Sequence, residues 1–180
     1  FCCNCMAVPI VHLVPLLTDN GRTLDEATTV LTLLMFSGAF GRIVGGKLGD
    51  TIGALPGYIL MSAGQTISVL WFPYFHSDIS LYLLAIVFGF TYSGVMSSIL
   101  ICTRNMVSAR YSGRAMSITS FFGWIGMGTG GVVGGLLFDA TGDYNWSFSF
   151  AAGVGVINLI ILGLFFMRIR AQGAPSPAAA

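Results

Sequence analysis

An all-α membrane protein of six spanning helices is the fold class this sequence predicts, and three observations carry it. Only 8% of the 180 residues are charged while 55% are hydrophobic, against about 25% charged in a soluble domain. Several apolar runs exceed the roughly 18 residues needed to cross a bilayer, and a backbone in lipid must satisfy its polar groups within each helix. A glycine-rich pattern of thirteen residues occurs twice, which implies two three-helix units.

The first span is expected over residues 1–17, already apolar at Phe1, so the chain reads as a fragment that begins partway into a helix. It holds Pro9, His12 and Pro15; two prolines bend a membrane helix and free carbonyls, which suits a cavity wall. Thr23-Leu-Asp-Glu26 matches a capping box and starts the second span, 24–48. That span carries Arg42 in apolar surroundings, with Gly41, Gly45 and Gly49 on one helical stripe where a neighbouring backbone can approach.

A tight turn with Gly53 and Pro56 leads to the third span, 58–75, and a short polar turn at His76 to the fourth, 81–103. Residues 104–114 form the longest internal loop, with three arginines. The fifth span, 115–138, is dense in glycine; the sixth, 147–167, is followed by Arg168 and Arg170. Residues 1–170 are expected to form one six-helix unit, and the Pro- and Ala-rich stretch 171–180 a disordered cytoplasmic tail.

The repeat aligns residues 41–53 with residues 130–142, identical at seven of thirteen positions including Asp50 with Asp139 and Gly53 with Gly142. One copy ends on each side of the membrane, so the two units have opposite topology, a 3+3 inverted repeat. Six of the eight Lys and Arg residues fall on one side and only Arg22 on the other, with Arg42 inside a span. By the positive-inside rule the C-terminus and the 104–114 loop are cytoplasmic in a plasma or inner membrane.

Composition also narrows the chemistry. A net charge of +1 implies no nucleic-acid partner. Cys2, Cys3, Cys5 and Cys102 come without a metal-ligand set and read as small packing residues, so neither metal nor cofactor is expected. Gly126-Met-Gly-Thr-Gly-Gly131 superficially resembles a dinucleotide loop, but it lies in a long apolar helix, where close packing explains it. No phosphate-binding loop or catalytic dyad is present, which argues against an enzyme or pump.

Arg42 admits two readings. Five residues before Lys47, it can snorkel to the surface; flanked by glycines, it can instead face a cavity, where its planar fork suits a carboxylate. A charge in hydrocarbon costs at least about 2.5–3.5 kcal/mol, so the cavity reading is preferred. His12 either bonds a neighbouring backbone carbonyl or handles protons or substrate. Asp50, at a helix end, is either a solvated loop acid or a gate that accepts from the fifth helix's N-terminus near Arg110 and Arg114.

The run Gly-Arg, Gly-Gly and Gly-x-x-x-Asp-x-x-Gly resembles the eighth helix and following loop of major facilitator transporters. Val11-His-Leu-Val-Pro15 with Thr18-Asp-Asn-Gly21, Phe88-Gly-Phe-Thr-Tyr92, and Tyr111-Ser-Gly-Arg-Ala115 through the segment ending at Tyr144 are similar to bacterial monocarboxylate transporters and oxalate/formate antiporters. The resemblance covers nearly the whole chain, as helices seven to twelve of a twelve-helix carrier.

It implies a secondary transporter of a small monocarboxylate, by proton symport or anion exchange, completed by an N-terminal six-helix half. Arg42 would hold the substrate carboxylate with His12, Tyr92 and Trp124 beside it, and Asp50, Arg110 and Arg114 would gate. Gly38 stands where animal monocarboxylate carriers have an Asp, residues 115–138 lack the Lys of oxalate exchangers, and Thr51 replaces a basic residue of the loop motif. A carrier of a sugar-like or drug-like solute, with Arg42 purely structural, is the alternative, and a non-transporting membrane receptor a third.

Overall fold

The computed structural model describes residues 1–75 and 77–171. Six helices follow one another: α1 (Cys2–Asp19), α2 (Leu24–Thr51), α3 (Ala54–Trp71), α4 (Asp78–Asn105), α5 (Ser112–Thr141) and α6 (Tyr144–Ala171). His76 and residues 172–180, which include most of the expected tail, lie outside the described residues. Among the described residues five helices are long and apolar enough to cross a membrane, and α3 is not. Its polar residues turn inward: Gln65 is fully buried and donates to the Cys2 carbonyl at 3.1 Å, and Asn158 of α6 donates to Ser62 at 3.0 Å.

Most helices run past the apolar stretches that announce them. At 28 residues, α2 is about 42 Å long against a hydrocarbon core of about 30 Å. The surplus turns carry polar ends, which hydropathy alone leaves out. The α2 start is fixed as the sequence indicates: Thr23 accepts from the Glu26 N–H at 3.3 Å, and Glu26 accepts from the Thr23 N–H at 3.0 Å. Helix α3 begins earlier than expected, because Pro56 sits in its first turn, where its missing N–H costs nothing.

The packing reproduces the repeat. Helix α2 lies against α4 and α5 against α1; α3 lies against α4 and α6 against α1; α3 and α6 meet on the third side. The two aligned turn glycines share a left-handed backbone, φ +96° at Gly53 and +69° at Gly142. Aromatic rings knit the middle, with Phe72 edge-on to Phe88 at 5.5 Å and tilted against Phe148 at 5.9 Å.

Helix direction alternates, so charges sort to two ends. One end, at the α1–α2, α3–α4 and α5–α6 turns, holds six of the seven acids. There Arg22 forms an ion pair with Asp78 that ties the α1–α2 turn to the start of α4. The opposite end holds Lys47, Asp50 and the arginines at 104, 110, 114, 168 and 170.

Candidate functional site around Arg42

Glycine spacing on α2 sets the geometry. Gly41 and Gly45 face α4 with no room for a side chain: a Cβ on Gly45 would stand 2.7 Å from Gly94 Cα, and one on Gly41 would strike the Phe90 carbonyl. Gly89 of α4 presses equally close on the Leu34 carbonyl, and Ser37 donates across the seam to the Ile86 carbonyl at 2.9 Å. Without a hydrophobic drive between helices in lipid, such backbone-to-backbone contact is what holds them.

Arg42, one residue past Gly41, therefore emerges at the edge of this seam. Its Nε donates to Ser93 Oγ on α4 at 3.1 Å, and Ser93 is only 2% exposed. Ser93 is twelve residues from the end of α4, so the guanidinium is anchored about 18 Å from that terminus, deep along the helix. A guanidinium carries five N–H donors in a planar fork. Among the described residues the Ser93 bond is its only hydrogen bond, and no carboxylate pairs with it. The rest of the fork is exposed on the bundle surface.

Tyr92 adjoins Ser93, half-buried, stacked on Phe88 at 5.6 Å with its hydroxyl 3.5 Å from Met35 Sδ, and within electrostatic reach of Arg42. Gly38, one turn before Arg42, leaves a Cβ-sized gap of only 3.2 Å to Ser93 Cβ. The serine thus occupies the space beside Arg42 toward which a longer side chain at 38 would point.

The other predicted residues are placed elsewhere. His12 Nε2 is 2.8 Å from the Gly131 carbonyl on α5, and its ring lies 5.8 Å from Tyr144. Gly130 and Gly134 flank that contact and admit α1 as Gly41 and Gly45 admit α4. Trp124 projects from α5, 72% exposed, at the rim of a cavity of about 80 Å³ that Cys3, Met96 and Met127 also line. Asp50, Arg110 and Arg114 are exposed, and among the described residues no hydrogen bond or ion pair joins Asp50 to either arginine. Arg110 instead lies over the Tyr111 ring at 5.8 Å.

Ser93 is the residue that sequence reasoning missed. Its signal was the small-residue pattern Gly89-x-x-x-Ser93-Gly94, which matches the glycine stripe on α2.

Residues 2–180 match the family model described as Major Facilitator Superfamily. The chain is 31% identical over 170 residues to monocarboxylate transporter 13 of Rattus norvegicus, covering 90% of this chain and 39% of that protein. It is 23% identical over 163 residues to multidrug resistance protein fnx1 of Schizosaccharomyces pombe, covering 91% of this chain and 30% of the relative. The chain thus spans well under half the length of the curated relatives it matches.

Proposed function

Because this chain belongs to the Major Facilitator Superfamily, we propose that it forms the C-terminal half of a secondary carrier that moves a small monocarboxylate by alternating access. The observation that supports this reading is the Arg42 fork, deep along α2, held by one bond to Ser93 and otherwise without a partner among the described residues. A carboxylate entering the cavity loses hydration, and a charge-assisted pair with a guanidinium returns about 1.5–3 kcal/mol, roughly ten- to a hundredfold in binding. In this reading Tyr92, next to Ser93 on α4, contributes its hydroxyl to the site during the cycle, and His12 on α1 and Trp124 on α5 line the same cavity from their helices.

The same proposal gives the basic end to the cytoplasm, by its excess of Lys and Arg. Asp50, Arg110 and Arg114 form the gate there when the ends of α2 and α5 approach during the cycle. A proton or a counter-anion accompanies the substrate.

The second reading is a carrier of a drug-like solute, favoured by the likeness to the multidrug resistance protein. In it, the Arg42–Ser93 bond only joins α2 to α4. Uptake of labelled lactate, pyruvate or formate by the full-length protein separates the two. Arg42→Ala at matched membrane expression abolishes carboxylate uptake under the first reading; under the second the parent protein itself takes up none of these acids.

A further inference from the structure

The lateral face formed by α3 and α6 has a different character from the Arg42 face. Its exposed residues are apolar, Leu60, Ile67 and Leu70 on one helix and Ile157, Ile160 and Leu164 on the other, as a surface against lipid requires. Near the basic end an open groove of about 490 Å³ lies between the two helices. Ile59, Leu60 and Ala63 form one wall and Phe166 the other, and Gly163 in the floor has nothing within 4 Å of where its side chain would be.

The mouth of this groove is cationic. Arg170 holds its guanidinium 4.6 Å over the ring of Phe166, so the charge stands directly on a groove-lining side chain. Arg168, two residues earlier, is exposed on the side of α6 away from the groove. That end of the bundle carries six of the chain's eight basic residues, and Asp50 is the only acid among the described residues there.

We propose that this groove is a binding site for one phospholipid with an anionic headgroup: an acyl chain lies between α3 and α6, and the phosphate meets Arg170. The purely apolar walls of the groove exclude a polar solute, and its position at the membrane-facing surface supplies acyl chains. Arg170 selects the headgroup, because a guanidinium favours a phosphate ester without a compensating choline charge.

The test uses the full-length protein in nanodiscs doped with phosphatidylglycerol or phosphatidylcholine carrying a photoreactive group on the same acyl chain, with labelled peptides mapped. Phosphatidylglycerol is expected to label the α3 and α6 groove peptides about fivefold or more over phosphatidylcholine. Arg170→Gln removes that preference, and Gly163→Trp, which fills the floor, removes labelling by both lipids. Equal labelling in the parent protein overturns the proposal. So does a preference that survives Arg170→Gln, labelling that Gly163→Trp leaves unchanged, or a groove found covered by a second protein copy. The result is independent of which solute the carrier moves.

Discussion

Gly41 meets the main chain of Phe90 with no space between them, and Gly46, five residues on, meets nothing within 4 Å. The two glycines look alike in the sequence, yet only the first is demanded by packing. Gly41→Ala is expected to push α2 off α4 and destabilise the protein by about 1–3 kcal/mol, as overpacking does. Gly46→Ala is expected to be neutral or to stabilise by up to about 1 kcal/mol, through lost backbone freedom in the unfolded chain. Thermal unfolding of the full-length protein in one detergent checks both. Equal effects would mean that the α2–α4 seam is looser than the geometry here.

That contrast marks what the sequence could and could not tell. Helices, turns, the capping box at Thr23 and the repeat follow from patterns local to each segment and are present in the structure, although α3 runs from Ala54 to Trp71 where the sequence predicts a span over 58–75. The Arg42–Ser93 bond joins residues 51 apart and depends on how two helices cross. No local pattern contains that crossing. The polar side of α3 was equally hard to read, because Gln65 and Ser62 lower its hydropathy while being the residues that lock it to α1 and α6.

The α5–α6 turn supplies a pH-dependent term. Asp143 accepts from the Asn145 N–H at 2.9 Å and from its side-chain amide at 2.6 Å, and these bonds hold its carboxyl below the usual carboxylate range. A lowered folded value means that the contribution is complete above the unfolded value of about 4 and is lost as pH falls through the folded one. Asp143→Asn should therefore lower the thermal midpoint slightly at pH 7. The gap from the parent protein should close below about pH 4. A gap that is constant with pH would detach the effect from this carboxylate.

His12 combines a tie with its proposed place in the cavity wall. Its Nε2 meets the Gly131 carbonyl at 2.8 Å, at the position the repeat aligns with Arg42. His12→Leu breaks that tie and should cost about 0.5–1.5 kcal/mol of stability. His12→Gln can restore a donor without a group that titrates near neutrality. The glutamine variant is expected to match the parent in thermal midpoint while its uptake loses part of its pH dependence. A parent-like pH profile in His12→Gln would reduce His12 to a tie between α1 and α5.

The Arg42–Ser93 pair gives the sharpest test, because its members do different jobs. Ser93 uses the Nε donor and so aims the fork; it does not supply the charge. Ser93→Ala should leave the cation in place with a looser side chain, raising the KM for carboxylate severalfold while maximal uptake changes little. Arg42→Lys keeps the charge but has neither the Nε anchor nor the planar fork. A point charge in place of a bidentate pair is expected to cut carboxylate uptake tenfold or more, consistent with about 1.5 kcal/mol per lost charge-assisted bond. Measured at matched expression, the two variants should thus separate, one in KM and the other in overall uptake. Parent-like transport of lactate, pyruvate and formate by Arg42→Lys would show that fork geometry is not used. Parent-like transport by Arg42→Ala as well would leave the guanidinium as a strut between α2 and α4, and only a parent protein that takes up none of these acids would make a neutral solute the better substrate class.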